Sequence, residues 1–139
     1  MAAFVKYDQF VEDMGAELHN LASDTLRIAL TNTAPTVATD AVLVNITEIA
    51  DGNDYTSGTS GEVTTTTWSE TAGTATLAGD DTVFTAAGGA IAQFRYAVLY
   101  NDTSVADSLI GYWDYGSAID LANGETFTVD FGASILTWA

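Results

Sequence analysis

Residues that could support catalysis are scarce in this chain. The only histidine, His19, falls on the polar side of a predicted helix, and no Gly-x-Ser-x-Gly elbow supplies a nucleophilic serine for a Ser-His-Asp triad. The chain has no cysteine, which excludes disulfides, thiolate metal sites and a cysteine nucleophile. We therefore predict that the protein is not an enzyme, that it has no catalytic residue and no cofactor, and that His19 is solvated.

Two acidic turns are the best candidates for a metal site. One spans residues 51–54, Asp-Gly-Asn-Asp, and the other contains Asp80 and Asp81. Calcium prefers carboxylate and amide oxygens of this kind, but the spacing does not match an EF-hand loop. We interpret both segments as ordinary turns and predict no metal site, while calcium binding by these loops stays an open alternative.

Aromatic residues offer a second kind of chemistry, stacking on sugars. Trp68, Trp113 and Trp138, with Tyr112 and Tyr115, are of the type that stacks on sugar rings, so a carbohydrate-binding module for a host surface is one alternative. The same residues suit a strand core or a contact between subunits, which we favour. The candidate residues for a partner or subunit interface are Phe4, Val5, Tyr7, Trp113 and Trp138.

The charge of the chain is strongly one-sided. Nineteen acidic residues face three cations, Lys6, Arg27 and Arg95, for a formal net charge of −16. So negative a surface repels phosphate backbones and anionic lipids, so we expect no nucleic-acid and no membrane partner. The N-terminus lacks a signal-peptide core, which predicts a protein made in the cytoplasm. Each arginine falls within a predicted strand, where we expect it to pair with a carboxylate.

The elements that would position these residues begin with one helix. Apolar side chains of residues 7–22 share an arc of about 120°, which predicts an amphipathic helix preceded by an arm at residues 1–6. Residues 25–32 alternate apolar and polar side chains, as a half-buried strand does. Residues 42–49 favour a strand weakly, with a short helical turn as the alternative.

The later chain carries more strand patterns. Residues 94–101 are apolar on both sides, which indicates a central strand, and we expect residues 109–115, 126–131 and 134–138 to be its neighbours in one antiparallel sheet. Asn123-Gly124 is a strong hairpin signal joining residues 119–121 to the strand at 126–131. Further strands are predicted at residues 62–69, 74–77 and 82–86.

Taken together, these patterns predict a mainly β, single-domain protein over residues 1–139. After the helix, residues 25–139 would form an antiparallel β-sandwich of a jelly-roll-like kind, because short strands are separated by turns every eight to twelve residues or so.

The order of the segments resembles a known family over almost the whole chain. The segments that carry the resemblance are FVKYDQFVED at residues 4–13, SDTLRIALTNTAP at 23–35, ITEIADGN at 46–53, YTSG at 55–58, FRYAVLYND at 94–102, LIGYWDYGS at 109–117 and NGETFTVDF at 123–131. They resemble the small structural proteins, of the decoration or cement kind, of tailed bacteriophages and prophages. Asp54 stands where this resemblance leads us to expect a glycine.

The resemblance implies a virion component. Within that class it implies a capsid decoration protein that forms homo-oligomers, with a trimer favoured, and that binds the major capsid protein or another virion protein. The alternative is a protein of the tail, neck or fibre. We expect removal of residues 1–6 to weaken binding to the lattice and to leave the fold intact.

Overall fold

Antiparallel β-strands make up most of the structure, a computed structural model that describes residues 2–139. In chain order the elements are β1 (Phe4–Lys6), α1 (Asp8–Gly15), β2 (Leu26–Thr31), a 3₁₀ turn (Leu43–Asn45), β3 (Thr67–Thr71), β4 (Thr74–Ala78), β5 (Thr82–Thr85), β6 (Ile91–Asn101), β7 (Ser108–Leu121), β8 (Thr126–Val129) and β9 (Leu136–Trp138). The prediction of a mainly β chain with antiparallel sheets and an N-terminal helix is confirmed.

The main sheet has four strands in the order β1-β7-β6-β2, and β6 lies in its interior. All residues of β6 from Tyr96 to Asn101 are buried, as expected for a strand covered on both faces. β2 pairs with β6 through Leu26↔Asn101 and Thr31↔Tyr96, and β7 pairs with it on the other side. The predicted central strand and its neighbour at residues 109–115 are therefore confirmed.

Two other predicted neighbours of β6 lie in different sheets. β8 pairs with β5 in a two-stranded sheet, and β9 pairs with β4 in the three-stranded sheet β3-β4-β9. The Asn123-Gly124 turn is present, but the strands that flank it do not pair, because Gly124 N and Glu125 O bond to Ala86 instead. The prediction of one sheet was wrong because strand patterns indicate strands without indicating their partners.

The helix is half as long as the sequence pattern predicted. α1 ends at Gly15, where Ala16 N donates to Glu12 O and Glu17 adopts a φ of +62°. Leu18 N donates to Asp13 O, which closes the helix end. The chain beyond Gly15 therefore leaves the helical path, so Leu18 is 48% exposed and His19 is buried, contrary to the prediction of a solvated histidine.

The predicted N-terminal arm is a strand of the main sheet. Phe4, Val5 and Lys6 pair with Trp113, Tyr112 and Gly111 of β7, while Met1 lies outside the described residues. The Phe4 ring packs over Gly111, and a Cβ there would overlap that ring and approach Val5 O at 2.7 Å. Removing residues 1–6 would thus remove a strand, so the expectation that the fold stays intact is not supported by this geometry.

Three further segments differ from their predictions. Residues 42–49 form a 3₁₀ turn flanked by isolated bridges rather than a strand, and the strand predicted at 62–69 begins only at Thr67. β2 is almost fully buried rather than half-buried, because β6 and the loop at 48–63 enclose it. Asp54, where a glycine was expected, has a φ of +79°, the left-handed region that glycine adopts most easily.

One buried apolar cluster draws on all three sheets and on α1. Phe10 of the helix, Leu99 of β6, Leu77 of β4 and Val129 of β8 all belong to it and are fully buried. None of the helices described for residues 2–139 has the length and apolar character needed to cross a bilayer.

We predict that Gly111→Ala destabilises the protein by about 1–3 kcal/mol, because the added methyl group must displace Phe4 and with it β1. The matched control is Gly15→Ala, where nothing lies within 4 Å of the new Cβ. Urea unfolding of both variants measures the difference. Equal urea midpoints for Gly111→Ala and the unmodified protein would contradict the packing of the Phe4 ring of β1 over Gly111.

Candidate functional site: an uncovered sheet edge and its groove

The five predicted interface residues separate into two groups. Tyr7 is fully buried and Trp113 is 3% exposed, so both side chains belong to the core and are not available to a partner in the free chain. Phe4, Val5 and Trp138 are partly exposed. Phe4 contacts Trp113 with ring centroids 5.0 Å apart, which ties the exposed group to the core.

The two edges of the main sheet differ in how they are protected. At the β2 edge, Ile28 N donates to Gly61 O, Val63 N donates to Leu26 O, and Ile49 N donates to Leu30 O. Tyr55 Oη also accepts a hydrogen bond from Leu30 N. The loop at residues 48–63 therefore covers this edge, as proteins commonly do to prevent strand pairing with other chains.

At the β1 edge, no comparable cover exists within residues 2–139. Tyr7 N donates to Ile110 O of β7, so the alternation of an antiparallel pair also turns the backbone groups of Val5 toward β7. The N–H and C=O groups of Phe4 and Lys6 then point outward. None of the backbone hydrogen bonds described for this part of the chain uses them, so β1 offers an open template for another strand.

A groove of about 350 Å³ runs beside this open edge. It is lined by Phe4, Lys6 and the residues 134–138, which include β9 at the edge of the three-stranded sheet. We call it the β1–β9 groove. Its apolar contributions come from Phe4, Ile135, Leu136 and Trp138, and it contains no carboxylate.

Lys6 is the only charged side chain among the described residues that line the groove. Its Nζ lies 5.2 Å from the centroid of the Trp138 ring, a cation–π arrangement. Both arginines are engaged elsewhere, as predicted from sequence: Arg27 Nε lies 2.8 Å from Asp102 Oδ2, and Arg95 makes a two-pronged pair with Asp114. Lys6 forms no ion pair with any residue from 2 to 139, so its charge faces the groove and the solvent.

No motif marked Lys6 or residues 134–137 as site residues, although Lys6 belongs to the arm at residues 1–6 that was expected to contribute to lattice binding. A weak signal existed, because Lys6 is one of only three Lys and Arg residues and the other two were expected to pair with carboxylates. The partnership of β1 with β9 across a groove could not be found in this way, since it depends on the arrangement of two different sheets.

The single histidine belongs to a buried polar cluster. Asn101 Nδ2 lies 3.1 Å from His19 Nδ1 and also donates to Asp24 Oδ2. Because an amide nitrogen only donates, Nδ1 accepts and the proton of the neutral ring lies on Nε2, which is 4.0 Å from Asp13 Oδ2. Burial lowers the pKa of His19, and the opposing attraction of Asp13 and Asp24 is weaker.

The carboxylates of the two acidic turns accept hydrogen bonds from other residues of the chain. Asp51 Oδ1 accepts from Ser57 N, and Asp80 Oδ2 accepts from the Thr65 hydroxyl. Among residues 2–139, no three His, Asp or Glu side chains are grouped in a way that could hold a metal ion. Four of the five aromatic rings considered for sugar stacking pack against other rings, for example Tyr115 on Phe127 and Tyr112 on Tyr7, and Trp68 packs partly buried against the core.

Comparisons with protein-family models, with curated proteins and with solved structures found no match for this chain. The functional assignment therefore depends on the open β1 edge, the β1–β9 groove and the charge of the molecule.

We predict that acidification from about pH 7 to about pH 5 destabilises the native protein more than it destabilises a His19→Gln variant. The unfolded chain binds a proton at His19 near the ordinary pKa of about 6.5, whereas the folded chain does so only at lower pH. The contribution of His19 to the free energy of unfolding is therefore fully present above the ordinary pKa of about 6.5. It is lost as the pH falls below that value, by at most about 1.4 kcal/mol per pH unit.

Urea unfolding of both proteins across this range measures the effect. The native protein and the His19→Gln variant contain the same carboxylates, including Glu48, whose pKa is raised by burial. The difference between their slopes of unfolding free energy against pH therefore reports on His19. Parallel slopes would show that His19 takes up its proton equally in both states.

Proposed function

We propose that this protein is a structural component of a virion and that it decorates the outer surface of a capsid lattice. The observation that carries the proposal is the open β1 edge beside a groove without carboxylates, in a molecule of net charge −16. An edge left open in this way is suited to pairing with another polypeptide. The resemblance of segments 4–13, 94–102 and 109–117 to phage structural proteins supports the same class.

The β1–β9 groove is well suited to a contact between copies of this chain. Acidic copies repel one another, so a homotypic contact must avoid carboxylates, and this groove has none while it carries an uncompensated Lys6. The backbone groups of Phe4 and Lys6 would add hydrogen bonds, and Trp138 would add apolar area. A strand edge that meets a different surface of the next copy forms a closed ring when the rotation between copies closes, and a threefold rotation would give a trimer.

We also propose that the sheets pack as the layers of a β-sandwich. Two contacts between aromatic rings favour this arrangement. The ring centroids of Phe94 in β6 and Phe127 in β8 lie 4.9 Å apart, and those of Trp113 in β7 and Phe131 lie 5.4 Å apart. Both join the main sheet to segments outside it. A sandwich would hold β1 and β9 in a fixed relation and so preserve the shape of the groove.

The mechanism of a decoration protein would follow from mass action. A protein that binds the assembled lattice but not its separated subunits stabilises the lattice by an amount that grows with its concentration. In this role the acidic surface of the copies keeps unbound protein dispersed. The major capsid protein would be the partner, the virion would be the location, and neither a cofactor nor a catalytic residue is assigned.

The test is the copy number of the protein in purified particles, measured by quantitative mass spectrometry against the major capsid protein. We predict a ratio near parity, because a lattice decoration covers every repeating unit. A ratio of a few per cent would replace this assignment with a tail, neck or fibre protein. Absence from particles would reject a virion role altogether, and a glycan-binding screen would then test the remaining alternative.

A further inference from the structure

A second exposed apolar surface lies away from the β1–β9 groove. Val44 in the 3₁₀ turn is 86% exposed, and Val105 in the loop between β6 and β7 is fully exposed. Leu43, Val44 and Ala106 line a depression of about 550 Å³, and Val105 directly precedes Ala106 in the chain. We call the set Leu43, Val44, Val105 and Ala106 the valine patch.

The backbone of the valine patch is held in place on both sides. Leu43 N donates to Asp107 O at 2.9 Å, which joins the 3₁₀ turn to the loop that carries Val105. Val42 also bridges to Ser108 at the start of β7. A partner would therefore meet a preformed surface and would lose little affinity to ordering of this backbone.

Carboxylates flank this patch, and none of the residues from 2 to 139 that line the depression is a cation. Glu48 and Asp107 line the same depression, together with Ser57 and the apolar residues. Burial raises the pKa of Glu48, hydrogen bonds from Tyr55 and Gly58 oppose that rise, and repulsion from Asp51 and Asp107 adds a smaller increase. Burial and then Asp102 raise the pKa of Asp107. A positive charge brought to this place would relieve that repulsion, provided that it arrives beside apolar side chains.

We infer that the valine patch docks a segment of a different protein, one that presents apolar side chains next to lysine or arginine. A second copy of this chain is a poorer match, because its formal charge of −16 opposes approach to Glu48 and Asp107, and Lys6, the one Lys or Arg outside an ion pair among residues 2–139, lies in the β1–β9 groove that the proposed function assigns to contacts between copies. Anionic lipids and nucleic acids lack it as well. The surface is thus heterotypic, whereas the β1–β9 groove is homotypic. The assignment of this segment to a capsid subunit rests on the proposed function.

The test uses the full chain and three synthetic peptides: one alternating leucine with lysine, one alternating leucine with glutamate, and one alternating serine with lysine. Amide chemical shifts are followed by NMR during titration. We expect only the leucine–lysine peptide to shift the amides of residues 42–46 and 105–107. Binding should weaken as salt is added, because the charged part of the contact is screened.

Two variants make the result decisive. Val44→Ser combined with Val105→Ser should weaken binding of the leucine–lysine peptide by roughly tenfold or more, since apolar area is lost at the contact. Val83→Ser is the matched control, because Val83 is also an exposed valine, at 55%, but lies in β5. All substituted valines are exposed, and urea midpoints confirm that the variants fold.

Unchanged affinity in the double variant would overturn the inference. So would equal binding of the serine–lysine peptide at the same amides, which would reveal charge attraction alone, or binding of the leucine–glutamate peptide, which would refute the need for a cation. Absence of any shift at residues 42–46 would do the same. None of these results depends on particle copy number, so this inference and the proposed function fail separately.

Discussion

The pairing of β6 with β2 and β7 is the interaction on which the rest of the structure depends. Its buried residues from Ala97 to Tyr100 belong to the apolar core to which α1 and the smaller sheets also contribute side chains. Because β6 is interior, the sheet must end on either side, and its two ends are β2 and β1. Whether each of these edge strands is covered determines whether it can pair with another protein.

One edge of the main sheet is covered and the other is open. The charges beside the exposed surfaces also differ. The loop at residues 48–63 closes the β2 edge, with Tyr55 fixed between Leu30 N and Glu48. The β1 edge stays open beside a groove free of carboxylates, while the valine patch lies among Glu48 and Asp107. In the proposed assignment, a chain of −16 meets its own copies through the first surface and a cationic partner through the second.

The sequence predicted local features well and their spatial partners poorly. β6 and β7 were found because aromatic and β-branched runs are strong strand signals, and the pairing of both arginines followed from the cost of an isolated charge in a sheet. The predicted helix was too long because the apolar period continues to Leu21, whereas the helix ends at Gly15 and Glu17 has a φ of +62°. His19, the pairing of β8 and β9, and the groove depend on contacts between distant segments, which no local pattern encodes.

Hydrogen exchange can show whether the outward backbone of β1 is the contact surface between copies, as we propose. The amides of Phe4 and Lys6 are compared in dilute, dissociated protein and in the self-associated or particle-bound form, with the already paired amide of Tyr7 as the internal reference. We predict exchange slowed at least about tenfold at Phe4 and Lys6 on assembly, with little change at Tyr7. Equally fast exchange of Phe4 and Lys6 in both states would contradict this proposal.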